Sequence, residues 1–268
     1  MLNPIRAALV AVLCSAASAS FSSGQGFTDG FTTFDTTKWT TAPYTGFAGF
    51  AYQGLPDSLA PLNVDGNDVL RMTSVMTDMQ RQGFGSIQTF TAPAATLTVD
   101  FKTLALHDLS VPAANQSNID GLLEVYLINP NDQRFLGISI FASSFGDPNE
   151  RMIQFSDSLG GTSSFTVGWQ YDTYYRFVLS SDGTTTHLSF QTSGGSEIAG
   201  RNLNQSFASL GAYDIAISQR MGTPSGQYYS DVALNNLDFM VVPEPGTLAL
   251  CVFSMIAGAV VCAIRKKS

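Results

Sequence analysis

Asp65, Asn67 and Asp68 lie within four residues of one another in Val64-Asp65-Gly66-Asn67-Asp68-Val69-Leu70. Acid and amide side chains that close could hold a calcium ion. The same string reads as an Asp-Gly hairpin turn between two strands, because no regular ligand spacing follows it. The nearest approach to a carboxylate pair is Asp120-Gly-Leu-Leu-Glu124. Retaining glycoside hydrolysis needs two carboxyl groups about 5–5.5 Å apart. Four residues of strand would separate these two by roughly 13 Å, so a catalytic pair would need acids from different strands. His107 and His187 are the two histidines, and no Gly-x-Ser-x-Gly turn accompanies them. They support neither a serine-hydrolase triad nor a histidine-rich metal centre. Tyr126, Tyr171 and Tyr174, with Trp169, could present rings on one exposed sheet face, and aromatic faces stack on sugar rings. For Trp169, in alternation with Phe165 and Val167, burial in the core is favoured.

The elements that must hold these residues read as strands. Between residues 20 and 241 the chain is rich in Gly, Thr, Ser, Phe and Tyr. Short alternating runs are broken by Gly, Asn, Asp and Pro, with no long 3.6-residue periodicity. In Thr96 to Leu104, Leu97, Val99 and Phe101 face one way and Thr98, Asp100 and Lys102 the other. A hairpin is expected from Leu122 to Phe141 around Asn129-Pro130-Asn131-Asp132. A four-residue loop would set Val125 opposite Leu136 and Leu123 opposite Ile138. Leu122, Glu124, Tyr126 and Phe135 would share the other face, so this pair should be central and covered in part on both sides. A second hairpin is expected around Asp182-Gly183. A two-residue type I′ turn would set Phe177 opposite Leu188 and Tyr175 opposite Phe190, with His187 beside Arg176 and Val178 on the other face. Further strands are expected at Gly83 to Phe90, Ser164 to Tyr171, around Ile215 and Ile217, and over Ser230 to Val241. The last should carry a bulge near Asn235-Asn236. About twelve strands suit an all-β jelly-roll sandwich of two antiparallel sheets.

The chain carries 13 basic and 21 acidic residues, a formal charge of −8. Setting aside Arg6, Arg265, Lys266, Lys267 and Glu244 leaves 9 basic and 20 acidic residues, so the body stands at about −11. Such a body is ill suited to nucleic acid. The three cysteines are Cys14, Cys251 and Cys262. All lie in terminal apolar segments, which leaves the body without disulfides or thiol chemistry.

Those terminal segments set an expected address. Arg6, the apolar run Ala7 to Ala16, and Ala17-Ser18-Ala19 form a signal peptide over residues 1–19, with Ala17 and Ala19 marking the signal-peptidase site. At the other end, Leu248 to Ile264 is uncharged and just long enough for one transmembrane helix. Arg265, Lys266 and Lys267 would stay on the cytoplasmic side. Residues 242–268, with Val242, Pro243, Glu244, Pro245 and Gly246 ahead of the helix and the basic stop after it, resemble the PEP-CTERM sorting signal of Gram-negative bacteria. The resemblance implies an exosortase-type processing enzyme, and export to the cell envelope or extracellular matrix with anchorage by the helix before processing. The entry segment Phe31-Thr-Thr-Phe34-Asp35-Thr-Thr-Lys38-Trp39 resembles the opening strand of concanavalin A-like lectin/glucanase domains. Phe34 and Trp39 would seal one end of the sandwich and Asp35 would cap the turn. That family's laminarinase-like members carry Glu-x-Asp-x-x-Glu on one strand, a string absent here.

The expected protein is therefore an exported surface or matrix protein whose non-catalytic sandwich associates with carbohydrate or exopolysaccharide. No cofactor is expected beyond a structural calcium. A carbohydrate-active enzyme on the same fold and a purely structural envelope protein are the alternatives.

Overall fold

In the computed structural model, the described residues are 26–41, 51–76, 80–108, 120–142, 149, 151–159, 161–220 and 228–242, with 51–52, 106–108, 120–121 and 228 described by backbone alone. Sixteen strands form among them: Phe27–Asp29 (β1), Trp39–Thr40 (β2), Ala51–Tyr52 (β3), Ser58–Val64 (β4), Asn67–Met76 (β5), Gln80–Ser86 (β6), Ala94–Asp108 (β7), Asp120–Ile128 (β8), Phe135–Ala142 (β9), Arg151–Asp157 (β10), Gly161–Thr166 (β11), Tyr174–Asp182 (β12), Thr186–Thr192 (β13), Glu197–Leu203 (β14), Asp214–Arg220 (β15) and Tyr228–Val241 (β16). The first sheet runs β14-β13-β12-β7-β16-β5-β4, with β1 also paired to β16. The second runs β11-β10-β9-β8-β15-β6-β2. The two-residue β3 lies parallel to β6, and the other described pairings are antiparallel. This is the two-sheet all-β sandwich expected from the alternation, with the first and last strands adjacent.

Alternate residues fill the space between the sheets. Leu97, Val99, Phe101, Phe177, Leu179, Leu188 and Phe190 are fully buried on the first sheet. Val125, Leu127, Leu136, Ile138, Phe155, Ile215 and Ile217 are fully buried on the second. One end is plugged by rings. Trp39 stacks on Phe31 at 5.6 Å and meets Phe27 and Phe84 edge-on at 5.2 and 5.0 Å. The cluster continues from Phe27 through Phe90 to Phe239 and Tyr213. Phe34 touches its margin at Phe84. Asp35 caps the turn as expected, accepting from the Thr37 backbone N–H and hydroxyl at 2.9 and 2.6 Å.

Both hairpins keep the expected faces but shift their register by two residues. Val125 lies opposite Ile138 and Leu127 opposite Leu136. Asn129 Oδ1 accepts from the Asn131 and Asp132 N–H groups, and Gln133 takes a left-handed φ of 61°. These side-chain caps lengthen the loop. In the second hairpin Phe177 lies opposite Phe190, Leu179 opposite Leu188 and Tyr175 opposite Thr192. The Asp182 carboxylate accepts from the N–H and hydroxyl of both Thr184 and Thr185, drawing both residues into the loop. Those four donors hold its pKa well below the usual carboxylate range. An even shift leaves every side chain on its own face, so the core is unaffected. His187 lies opposite Ser180 and Asn202 rather than beside Arg176 and Val178.

Other boundaries also move. The run Ser164 to Tyr171 is not one strand: β11 stops at Thr166, and Gly168 has a φ of 58°. The break turns Trp169 into the core, where Nε1 donates to the Phe141 carbonyl at 3.1 Å, while Phe165 remains 39% exposed. β6 ends at Ser86, and Phe90 forms an isolated bridge with Tyr213. On β16 residues 230–234 are all buried, Asn236 is exposed, and Leu237 and Phe239 are buried again.

Candidate functional site

Strand β8 places Leu123, Val125 and Leu127 inward, and Glu124 and Tyr126 on the outer face of the second sheet. Glu124 is at the centre of that face, opposite Ser139 of β9 and Ser218 of β15. Its carboxylate is fully buried. Arg81 Nε of β6 donates to Oε2 at 2.8 Å, and Arg220 Nε of β15 lies 3.0 Å from Oε1. The Ser218 hydroxyl donates to Oε2 at 3.1 Å and the Tyr126 hydroxyl to Oε1 at 3.0 Å. Burial alone, the largest single influence, pushes the Glu124 pKa up. Arg220 and Arg81, with the hydrogen bonds from Arg81 and Tyr126, outweigh it and hold the group below the usual glutamate value. Glu124 is therefore an ionised anchor, with no proton to give at neutral pH.

Tyr126 cannot serve as an exposed sugar platform. It is 3% exposed, its hydroxyl sits between Glu124 and Ser139, and its ring lies over Gly137 of β9. A Cβ on Gly137 would stand 1.9 Å from Tyr126 Cδ1. Gly137→Ala should therefore displace the ring and cost about 1–3 kcal/mol, the range for overpacking. A thermal melt of the variant checks this, and Tyr126→Leu in the same background should recover part of the loss.

The calcium candidates do not converge on one point. Asp65 and Gly66, with φ of 53° and 82°, form the two-residue turn between β4 and β5, as the hairpin reading expects. Pairing of β5 with β16 ends at Leu70, and β1 takes up β16 from Leu237 onward. The released hairpin tip reaches β7, where Lys102 Nζ donates to Asp65 Oδ2 at 2.9 Å and lies 3.7 Å from Asp172 Oδ1. The bond to Asp65, opposed by desolvation, holds Lys102 above its ordinary pKa. Asn67 points to no shared centre, and the Tyr174 hydroxyl is buried without a hydrogen-bond partner among the described residues, while Asp68 accepts from Asn63 at 2.9 Å. An ammonium group already neutralises the acid that would lead such a site. Among the described residues no group of three His, Cys, Asp or Glu could hold a metal.

The half-buried Tyr174 has Lys102 over its ring at 5.4 Å. Tyr171, also half-buried, stands edge-on to Trp169 at 5.2 Å, and the Arg151 guanidinium lies 4.5 Å from its ring centre. These rings form two separate cation–π clusters rather than one row. His187 bonds Glu197 and Asn202 at 2.6 and 2.7 Å, and the Ser189 hydroxyl donates to Glu197 at 2.6 Å. The carboxylate thus sits between serine and histidine, an order that cannot activate the serine. The Asp120 and His107 side chains, Ala17, Ala19, Pro243, Glu244, Pro245, Gly246, the 248–264 helix, Arg265, Lys266 and Lys267 lie outside the described residues. Val242 follows β16 and is 46% exposed.

Pattern reading missed Arg81 and Arg220. The available signal was a lone glutamate among apolar residues on a central strand, which requires a basic partner. It also missed Asp29, whose carboxylate accepts from Trp39 Nε1 at 2.6 Å and the Phe31 N–H at 2.8 Å.

No protein-family model and no curated protein matches the chain. Solved structures do match its fold. Peanut lectin superposes with a TM-score of 0.53 at 9% identity, covering 81% of this chain and 97% of the lectin. An alginate lyase from Klebsiella pneumoniae gives 0.52 at 10%, covering 79% and 98%. Lectin II from Ulex europaeus gives 0.51 at 10%, covering 81% and 97%. The chain therefore shares the lectin/glucanase-type jelly-roll fold of these proteins.

Proposed function

We propose that the body is a non-catalytic carbohydrate-associating module, exported by its signal peptide and sorted through residues 242–268 by an exosortase-type enzyme into the envelope or matrix. The observation that carries the non-catalytic reading is Glu124. Among the described residues, the Glu124 carboxylate at the centre of the outer face is held ionised by two arginines and faces no second carboxylate. Acid–base cleavage of a glycosidic bond needs one carboxyl group that keeps its proton. The carbohydrate reading is supported by the kinds of protein that share the fold, among them lectins and an alginate lyase. The full chain in detergent, applied to a glycan array with and without calcium, should retain at least one polysaccharide class. Silence on every glycan would contradict the binding reading. A reporter fused just before Val242 should lie outside the cytoplasm, and a cytoplasmic reporter would contradict export.

A further inference from the structure

The two strand orders end on β14, β4, β11 and β2. A terminal strand presents main-chain N–H and C=O groups to whatever lies beside it, and proteins guard such edges with charge, proline, bulges or shortness. Three of these four are guarded. β4 carries the exposed Pro61, which has no N–H to donate. β14 carries Glu197 and Arg201, and its register against β13 shifts at Phe190/Gln191. β2 is two residues long. β11 has none of these devices. Its residues pair with β10 from Met152↔Thr166 to Asp157↔Gly161 without a register shift. The run from Leu159 to Tyr171 holds no charged residue, in a body whose acids outnumber its bases. Five of the six β11 residues are exposed, Phe165 among them. The phase of the ladder fixes which groups face outward. The Val167 N–H donates to the Arg151 carbonyl at 3.1 Å, so Val167, Phe165 and Ser163 stand in the hydrogen-bonded positions against β10. The main-chain groups of Thr162, Ser164 and Thr166 therefore point away from β10, and among the described residues no strand pairs with them. Arg201 Nη1 donates to the Phe155 and Gly161 carbonyls at 3.2 and 3.1 Å, which ties the start of β11 to β14 of the other sheet.

We propose that β11 pairs antiparallel with the β11 of a second copy of this chain, about a two-fold axis at Ser164, so that the second sheets of two bodies join into one. The strand is its own complement in that register. Thr162 falls opposite the partner's Thr166, and Ser164 opposite the partner's Ser164. All three outward-facing residues then stand in hydrogen-bonded pairs, which makes roughly six main-chain bonds. Threonine and serine facing each other across the ladder are a favourable cross-strand set. On the other face Phe165 lies opposite the partner's Ser163. The two Phe165 side chains become diagonal neighbours at roughly 7–8 Å, a separation that aromatic rings span. Charge selects a second copy over a foreign strand. Two acidic bodies repel each other except where the contact itself is uncharged, and β11 is such a contact. A foreign basic strand would be drawn to an acidic edge, and a neutral one makes no use of that attraction. A ladder of this length is a small interface, in the weak and reversible class below about 1,200 Å².

Disulfide trapping tests the register. Full chains in detergent, with Cys14, Cys251 and Cys262 changed to serine, receive one cysteine at a time, and mild oxidation is followed on non-reducing gels. In the hydrogen-bonded pair on the axis the two Cα atoms lie about 5.5 Å apart, inside the disulfide range. Ser164→Cys should therefore cross-link to a dimer. Thr162→Cys should not, because residue 162 lies roughly 13 Å along the strand from its own mate. A mixture of Thr162→Cys and Thr166→Cys chains should give the mixed dimer. All three positions are exposed, so the substitutions leave the core intact. A tail that associates by itself would raise cross-linking at 162 and 164 alike, and so cannot imitate this pattern. Ser164→Lys, which sets like charges opposite each other on the axis, should weaken self-association by at least about fivefold in sedimentation equilibrium. Equal cross-linking of Ser164→Cys and Thr162→Cys would overturn the proposal, as would an association that Ser164→Lys leaves unchanged. A monomeric chain with no cross-link at either position would overturn it too, and would leave the edge to a foreign strand or to solvent.

Discussion

Glu124→Gln should destabilise the body by about 3–5 kcal/mol, because it removes the buried carboxylate that two buried guanidinium groups both face. For a domain of this size that lowers the melting temperature by about 6–20 °C. The shape of the side chain is kept, so a loss of this size reports charge and hydrogen bonding rather than packing. Arg220→Gln should cost less, since Glu124 keeps Arg81 at 2.8 Å and the Tyr126 and Ser218 hydroxyls. In a double-mutant cycle the two losses should be far from additive. The same pair predicts acid sensitivity. The folded-state pKa of Glu124 is depressed, so its contribution is complete above the ordinary glutamate value near ~4.3 and is lost as pH falls through the lower folded value. Denaturant midpoints measured across pH 2–6 should fall less steeply for Glu124→Gln than for the unaltered chain. A stability loss within ~0.5 kcal/mol would show that the buried ion cluster is not what holds the face together.

Trp39→Ala should cost a similar amount, about 3–5 kcal/mol, for a different reason. Trp39 is 1% exposed and touches Phe27, Phe31 and Phe84. It is the hub through which the entry segment closes one end of the sandwich. Its removal opens a cavity and also strips the buried Asp29 carboxylate of the Nε1 donor. Trp39→Phe separates the two effects. It keeps much of the ring contact and loses the hydrogen bond, so about 1.5–3 kcal/mol of loss should remain. Denaturant unfolding of the three proteins gives the comparison, and a Trp39→Ala loss below about 1 kcal/mol would mean the end of the sandwich is held elsewhere.

These residues also show what the sequence could tell. The alternation of Leu97, Val99 and Phe101, and of Leu123, Val125 and Leu127, was legible because a half-buried strand repeats every two residues. Hairpin register was legible only to within an even number. Asn129 and Asp182 take neighbouring N–H groups into Asx-type caps, and such local hydrogen bonds add loop residues without disturbing the faces. Trp169 was rightly favoured as core, but its companion Phe165 is turned away by the left-handed Gly168, which a period of two cannot anticipate. The site was less legible. Arg81 and Arg220 lie on β6 and β15, far along the chain from Glu124, and only the order β8-β15-β6 brings the three together. Tyr126 looked like an exposed ring because alternation assigns a face without saying how deeply that face is covered. Lys102 answers Asp65 because β5 leaves β16 at Leu70, a departure that turn chemistry does not encode.

The most direct test of binding without cleavage is one incubation of the full chain with the polysaccharide it retains best, following both retention and the release of new reducing ends over hours. Retention should be saturable, with no reducing ends above the protein-free control, and unchanged between pH 5 and pH 8. Reducing ends that accumulate with time and vanish in Glu124→Gln would contradict it.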